Sequence, residues 1–114
     1  MPIKLFRKKI LKSELEILAQ ETFVDMVKGV ADLHQKIFAL GGELHADCEE
    51  VLIEEGSQQS DLWGFNIYLN KDKNERLEYT SLINIRPKDG NFGRELKIEP
   101  LRQKLKQIVD ELID

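Results

Sequence analysis

The chain has 114 residues, 41% of them apolar and 33% charged, with a formal net charge of −4. That suits one domain, residues 1–114, with a real core, and excludes an intrinsically disordered segment. The negative balance argues against general nucleic-acid binding, and no stretch approaches the roughly 20 apolar residues of a membrane span.

The charge is unevenly spread. Lys4, Arg7, Lys8, Lys9 and Lys12 open the chain with no acid among them. Between Ile37 and Asn70 the charges are Glu43, Asp47, Glu49, Glu50, Glu54, Glu55 and Asp61, with no Lys or Arg. Cys48 is the only cysteine, so no internal disulfide is possible. With no apolar run of signal-peptide length at the N-terminus, the expectation is a soluble protein of the reducing cytoplasm.

Ile3, Leu5 and Phe6, set among basic residues, predict a short edge strand. Ser13 and Glu16 fit a capping box that opens a first helix, with Leu15 and Leu18 inward. Met26, Val30, Leu33, Ile37 and Leu40 are spaced four and three, which predicts a second helix stopped by Gly41-Gly42. His34 lies in the apolar sector of that helix and reads as a packed histidine. Three strands follow: Gly42 to Glu55, Trp63 to Asn70 and Arg76 to Pro87. Pro100 at a helix start, then Leu101, Leu105, Ile108 and Leu112, predict a last helix. The expected fold is α+β, a largely antiparallel sheet with helices on one face, in the order β-α-α-β-β-β-α.

Alternation along a strand sorts the side chains to two faces. Phe65, Ile67 and Leu69 form an apolar set, opposed by Asn66, Tyr68 and Asn70. Cys48 falls on the apolar side of its strand and reads as a packed thiol. Paired in order, the strands gather His45, Asp47, Asn66, Tyr68, Asn84 and Arg86 on one polar face. These residue types position ligands or move protons. A catalytic set of His45, Asp47 and Arg86 follows, with His45 as acid/base because it titrates nearest neutral pH. Arg86 anchors an anion in this reading; the structural alternative is an ion pair with Asp47 or Glu49. Ligand-binding candidates are Asn66, Tyr68, Asn84 and Arg86, joined by Asn91 and Arg94 from a Gly/Asn loop able to hold an anion. His45, Asp47 and Glu49 on one strand face form a candidate set for a divalent metal. Trp63 reads as a sheet-edge core residue or as the wall of a pocket.

The series Gly-Gly-Glu-Leu-His-Ala-Asp at 41–47, Leu-Trp-Gly-Phe-Asn-Ile-Tyr at 62–68 and Ile-Asn-Ile-Arg-Pro at 83–87, followed by Gly90-Asn91 and Arg94, resembles a family of small prokaryotic proteins of unknown function. The resemblance covers nearly the whole chain and implies no activity. The expected order of elements is also similar to that of the RelE/ParE superfamily of ribosome-dependent nucleases and gyrase poisons. That likeness would give Arg86 and Arg94 the place of the nucleases' basic residues, on an acidic rather than a basic chain.

The expected function is a binding or accessory protein with an anionic small-ligand site on the polar sheet face. Its partners would be that ligand or another protein, with self-association through a helix as a further option. The alternatives are a small enzyme using His45 with Arg86 as anion anchor, and a RelE/ParE-like nuclease or toxin.

Overall fold

The computed structural model describes residues 3–113. In chain order the elements are β1 (Ile3–Phe6), α1 (Lys12–Gln20), β2 (Met26–Asp32), β3 (Ile37–Gly41), α2 (His45–Glu54), β4 (Leu62–Tyr68), β5 (Leu77–Glu78) and α3 (Glu99–Leu112). Short 3-10 turns occupy Gln59–Asp61, Leu82–Asn84 and Pro87–Asp89. The strands form one sheet in the order β1-β3-β2-β4-β5, every neighbour antiparallel. The α+β class and the antiparallel sheet therefore hold, with three helices.

Within that class two segments trade character. The expected second helix is the β2–β3 hairpin. Its apolar positions cover more than one side because both faces of the sheet are buried. Val27 and Ala31 face one core, and Val30 faces the other. A strand covered on both faces reads as a near-continuous apolar run, which periodicity alone does not separate from a buried helix. The turn between the strands is fixed by buried Asp32. Its Oδ1 accepts from the amides of His34 and Gln35, both at 2.9 Å, and its Oδ2 accepts from Ser57 Oγ at 2.6 Å. Lys36 takes a left-handed φ of 60° there. His34 is exposed in this turn rather than packed in a helix.

The expected first long strand, Gly42 to Glu55, is mostly α2. Its buried residues are His45, Cys48 and Leu52, spaced three and four. Gly41 and Gly42, with φ of 114° and 73°, do not cap a preceding helix. They swing the chain from β3 into α2 through backbone that side-chain-bearing residues rarely adopt. α1 begins at Lys12, and Glu14 rather than Glu16 reaches back, its Oε1 accepting from the Leu11 amide at 3.4 Å.

The sheet carries two cores. On one face Phe38, Phe65, Ile67 and Trp63 pack with Leu15 and Leu18 of α1 and Leu105, Ile108 and Val109 of α3. On the other, Val30, Ile37, Ala39 and Leu62 pack with Cys48 and Leu52 of α2. α2 thus lies across the sheet from α1 and α3, where packing on one face was expected. The RelE/ParE likeness rested on two helices followed by three strands. Here a hairpin follows α1, and a helix follows the hairpin.

The third expected strand survives only as β5. Beyond it the side chain of Asn84 takes over the strand's pairing role on β4. Asn84 Oδ1 accepts from the Gly64 amide at 2.8 Å, and its Nδ2 donates to the Gly64 carbonyl at 3.0 Å. Gly64 permits the close approach: a Cβ there would lie 2.5 Å from Ser81 Cβ.

Candidate functional site

α2 covers only part of its sheet face. At the uncovered part, β2, β4 and β5 lay Lys28, Asn66 and Glu78 side by side, since Lys28 pairs with Asn66 and Asn66 with Glu78. A cleft of ≈ 490 Å³ is lined by Lys28 and Asn66 of this row, by the start of α2 and the 80–83 segment, and by Arg94.

The Asn66 amide is fixed by its partners. Nδ2 donates to Glu78 Oε1 at 2.7 Å and to the Thr80 carbonyl at 3.3 Å. Both are acceptors, so the nitrogen must face them. Oδ1 is left buried without a hydrogen-bond partner. His45 enters from the first turn of α2, and its Nε2 lies 2.9 Å from the Phe65 carbonyl oxygen. A carbonyl only accepts, so Nε2 carries the proton and Nδ1 keeps its lone pair in the neutral ring. Burial pushes the imidazole below its ordinary value of 6.5, against the opposing pull of the Phe65 hydrogen bond. Lys28 pushes the same way as burial, while Asn66 and Glu78 oppose it. His45 is therefore neutral at pH 7.

Three positive features converge on this cleft. Lys28 Nζ lies 5.2 Å from the Phe23 ring centroid and makes no ion pair among the described residues. Arg94 is exposed and equally without an ion pair among them. The third is the N-terminus of α2, whose N-cap, Leu44, supplies no side-chain hydrogen bond. The first amides of a helix have no partner inside it, and its dipole favours negative charge at that end.

The expected catalytic set is not assembled. Residues two apart on a helix point roughly 200° apart, so His45 and Asp47 do not share a side. His45 is buried while Asp47 is exposed. The proposed metal set of His45, Asp47 and Glu49 loses its common face for the same reason. Among the described residues no group of three His, Cys, Asp or Glu side chains is placed to hold a metal. Arg86 lines a different cleft from His45; the two clefts share only Leu82 and Ile83 as lining.

The guanidinium of Arg86 lies 3.9 Å over the Trp63 ring. Nε donates to the Ile83 carbonyl at 3.2 Å, and Nη1 to the carbonyls of Gln59 and Ser60 at 3.1 and 3.4 Å. The ion pair with Asp47 or Glu49, the structural alternative for Arg86, is not formed among the described residues. Trp63 belongs to the core, as the first of its readings had it, and its ring supports Arg86; it lines neither of the two clefts. Asn84 and Asn91 spend their amides on backbone. Asn91 Nδ2 donates to the Asn84, Gly93 and Glu95 carbonyls, and its Oδ1 accepts from the Lys97 amide. Tyr68 donates to Glu78 Oε1 at 3.4 Å, and Lys71 sits over its ring. Cys48 is the packed thiol expected. It is buried against the Gly41 carbonyl, and burial first, then Asp47, pushes it up to about 12.

Sequence reasoning missed Lys28 and the start of α2. The available signal was the charge itself, a lysine interrupting the apolar run from Met26 to Leu33.

Among the described residues, no helix is long and apolar enough to cross a membrane. No curated protein and no solved structure matches the chain. Residues 4–112 match the family described as "Protein of unknown function (DUF5674)", and the chain belongs to that family.

Proposed function

We propose that this is a binding protein of the reducing cytoplasm that takes a small organic anion in the cleft at the start of α2. The observation that carries this reading is the convergence of Lys28, Arg94 and the uncapped amides of α2 on one cleft, with no carboxylate pairing either cation among the described residues. Lys28 and Arg94 supply the charge. The amides of His45 and Ala46 supply directed donors. His45 Nδ1 is an acceptor and favours an anion that also carries a hydroxyl or N–H group. The lone, buried Cys48 suits a reducing compartment.

The test is an amide-resolved NMR titration with inorganic phosphate and a panel of hydroxy- and plain carboxylates. Saturable shifts at residues 44–46, 66 and 80–83 are expected, and they disappear in Lys28→Met/Arg94→Ala. If no probe moves the amides of His45 and Ala46, or the double variant responds like the wild type, this reading fails.

A further inference from the structure

The second cleft has a different donor set. It has a volume of ≈ 660 Å³ and lies where α2, the Gln59–Asp61 turn and the 82–89 segment meet. Its charged lining is Arg86, Lys88, Glu49 and Asp89, two cations and two carboxylates. Its apolar wall includes Leu82 and Ile85, which are 65% and 43% exposed.

Arg86 is held rigidly by the Trp63 face and by three carbonyls, which occupy Nε and Nη1. Nη2 is buried and has no hydrogen-bond partner. A charged donor left unpaired in a buried position is costly, so it calls for an acceptor. A simple anion would answer Arg86 but would face Glu49 and Asp89. A simple cation would answer the carboxylates but would face Arg86 and Lys88. A ligand bearing both charges satisfies both pairs. The exposed aliphatic wall then has an apolar side chain to cover, and the volume lies within the usual range for small-molecule sites.

We propose that the Arg86 cleft binds a free aliphatic α-amino acid. The carboxylate goes to Arg86 and Lys88, the ammonium to Glu49 and Asp89, and the side chain to Leu82 and Ile85. This site adjoins the α2 cleft at Leu82 and Ile83 but uses other charged groups and does not depend on it.

The experiment titrates the whole chain with L-leucine, 4-methylpentanoate, 3-methylbutylamine and glycine, followed at the amides of residues 59, 60 and 82–89. The first two analogues lack the ammonium and the carboxylate respectively, and glycine lacks the side chain. Leucine should saturate, and each analogue should bind about tenfold more weakly or worse, the factor for loss of one good contact. Arg86→Lys should weaken binding about tenfold or more, since it removes Nη2, the one donor nitrogen that the carbonyls leave without a partner. That variant also loses the Trp63 stack, so a second one carries the test. Glu49 and Asp89 make no side-chain hydrogen bond among the described residues. In Glu49→Gln/Asp89→Asn, leucine and 4-methylpentanoate should bind within about twofold of each other. The proposal is overturned if leucine does not saturate, if the wild type binds the analogues as well as leucine, or if the double variant keeps the wild-type discrimination.

Discussion

The two faces of the sheet are covered differently. The face under α1 and α3 is a continuous apolar core in which Phe38, Phe65 and Ile67 are fully buried. The face under α2 is apolar along Ile3, Leu5, Val30, Ile37, Ala39 and Leu62, and then gives way to Lys28, Asn66 and Glu78. The same strands supply both faces, so strand propensity does not account for the contrast. It reflects how much helix covers each face: α1 and α3 both pack on the first, α2 alone on the second, and the start of α2 stands beside Lys28 and Asn66. The first face holds the fold, and the second leaves polar groups where a ligand can meet them.

The comparison breaks most severely on the dry face. Phe65→Ala removes a fully buried ring packed against Phe38 at 6.0 Å. It should cost about 3–5 kcal/mol by denaturant unfolding. A loss under about 1 kcal/mol would show that this face is not the principal core.

An intermediate effect is expected where β4 meets the 81–84 segment. Asn84→Ala leaves the Gly64 amide and carbonyl unpaired and should cost about 1–3 kcal/mol. Gly64→Ala forces a Cβ against Ser81 and should cost a similar amount, about 1–3 kcal/mol. If both variants unfold like the wild type, the amide does not substitute for a strand.

His45 should give a smaller, pH-dependent effect. Its folded pKa lies below the ordinary value of 6.5, so between the two values the unfolded chain binds more protons. The stability from burying the neutral ring is complete above about 6.5. It declines as pH falls below that value and levels off beneath the folded pKa. His45→Gln should flatten this part of the stability–pH curve. A wild-type curve that rises on acidification through 6 would contradict the sign.

The smallest stability effect belongs to Arg94. Arg94→Ala should change stability by no more than about 0.5 kcal/mol, the usual range for an exposed side chain without special partners. The same variant should weaken the phosphate or carboxylate response at His45 and Ala46. Unchanged binding would remove Arg94 from the site while leaving the fold comparison intact.

The sequence by itself determined the α+β class, β1, α1, α3 and the alternation of β4. α1, α3 and the Phe65–Ile67 stretch of β4 turn their apolar residues to one core, so their periodicity is clean: Phe65 and Ile67 go inward and Asn66 goes to the other face. Asn66 and His45 were also legible as site candidates, and they do share a cleft. The tertiary structure alone decided the character of 26–41 and 45–54. Burial on both faces removed the alternation of the hairpin. In α2, a run whose charged and apolar residues interleave fitted a strand nearly as well as a helix. The partners of Arg86 and Asn84 were also hidden, because backbone carbonyls and amides distant in sequence leave no trace in residue type. Lys28 joins the site only because β2 pairs with β4 and not with β1, and that pairing depends on how the whole sheet closes its two cores.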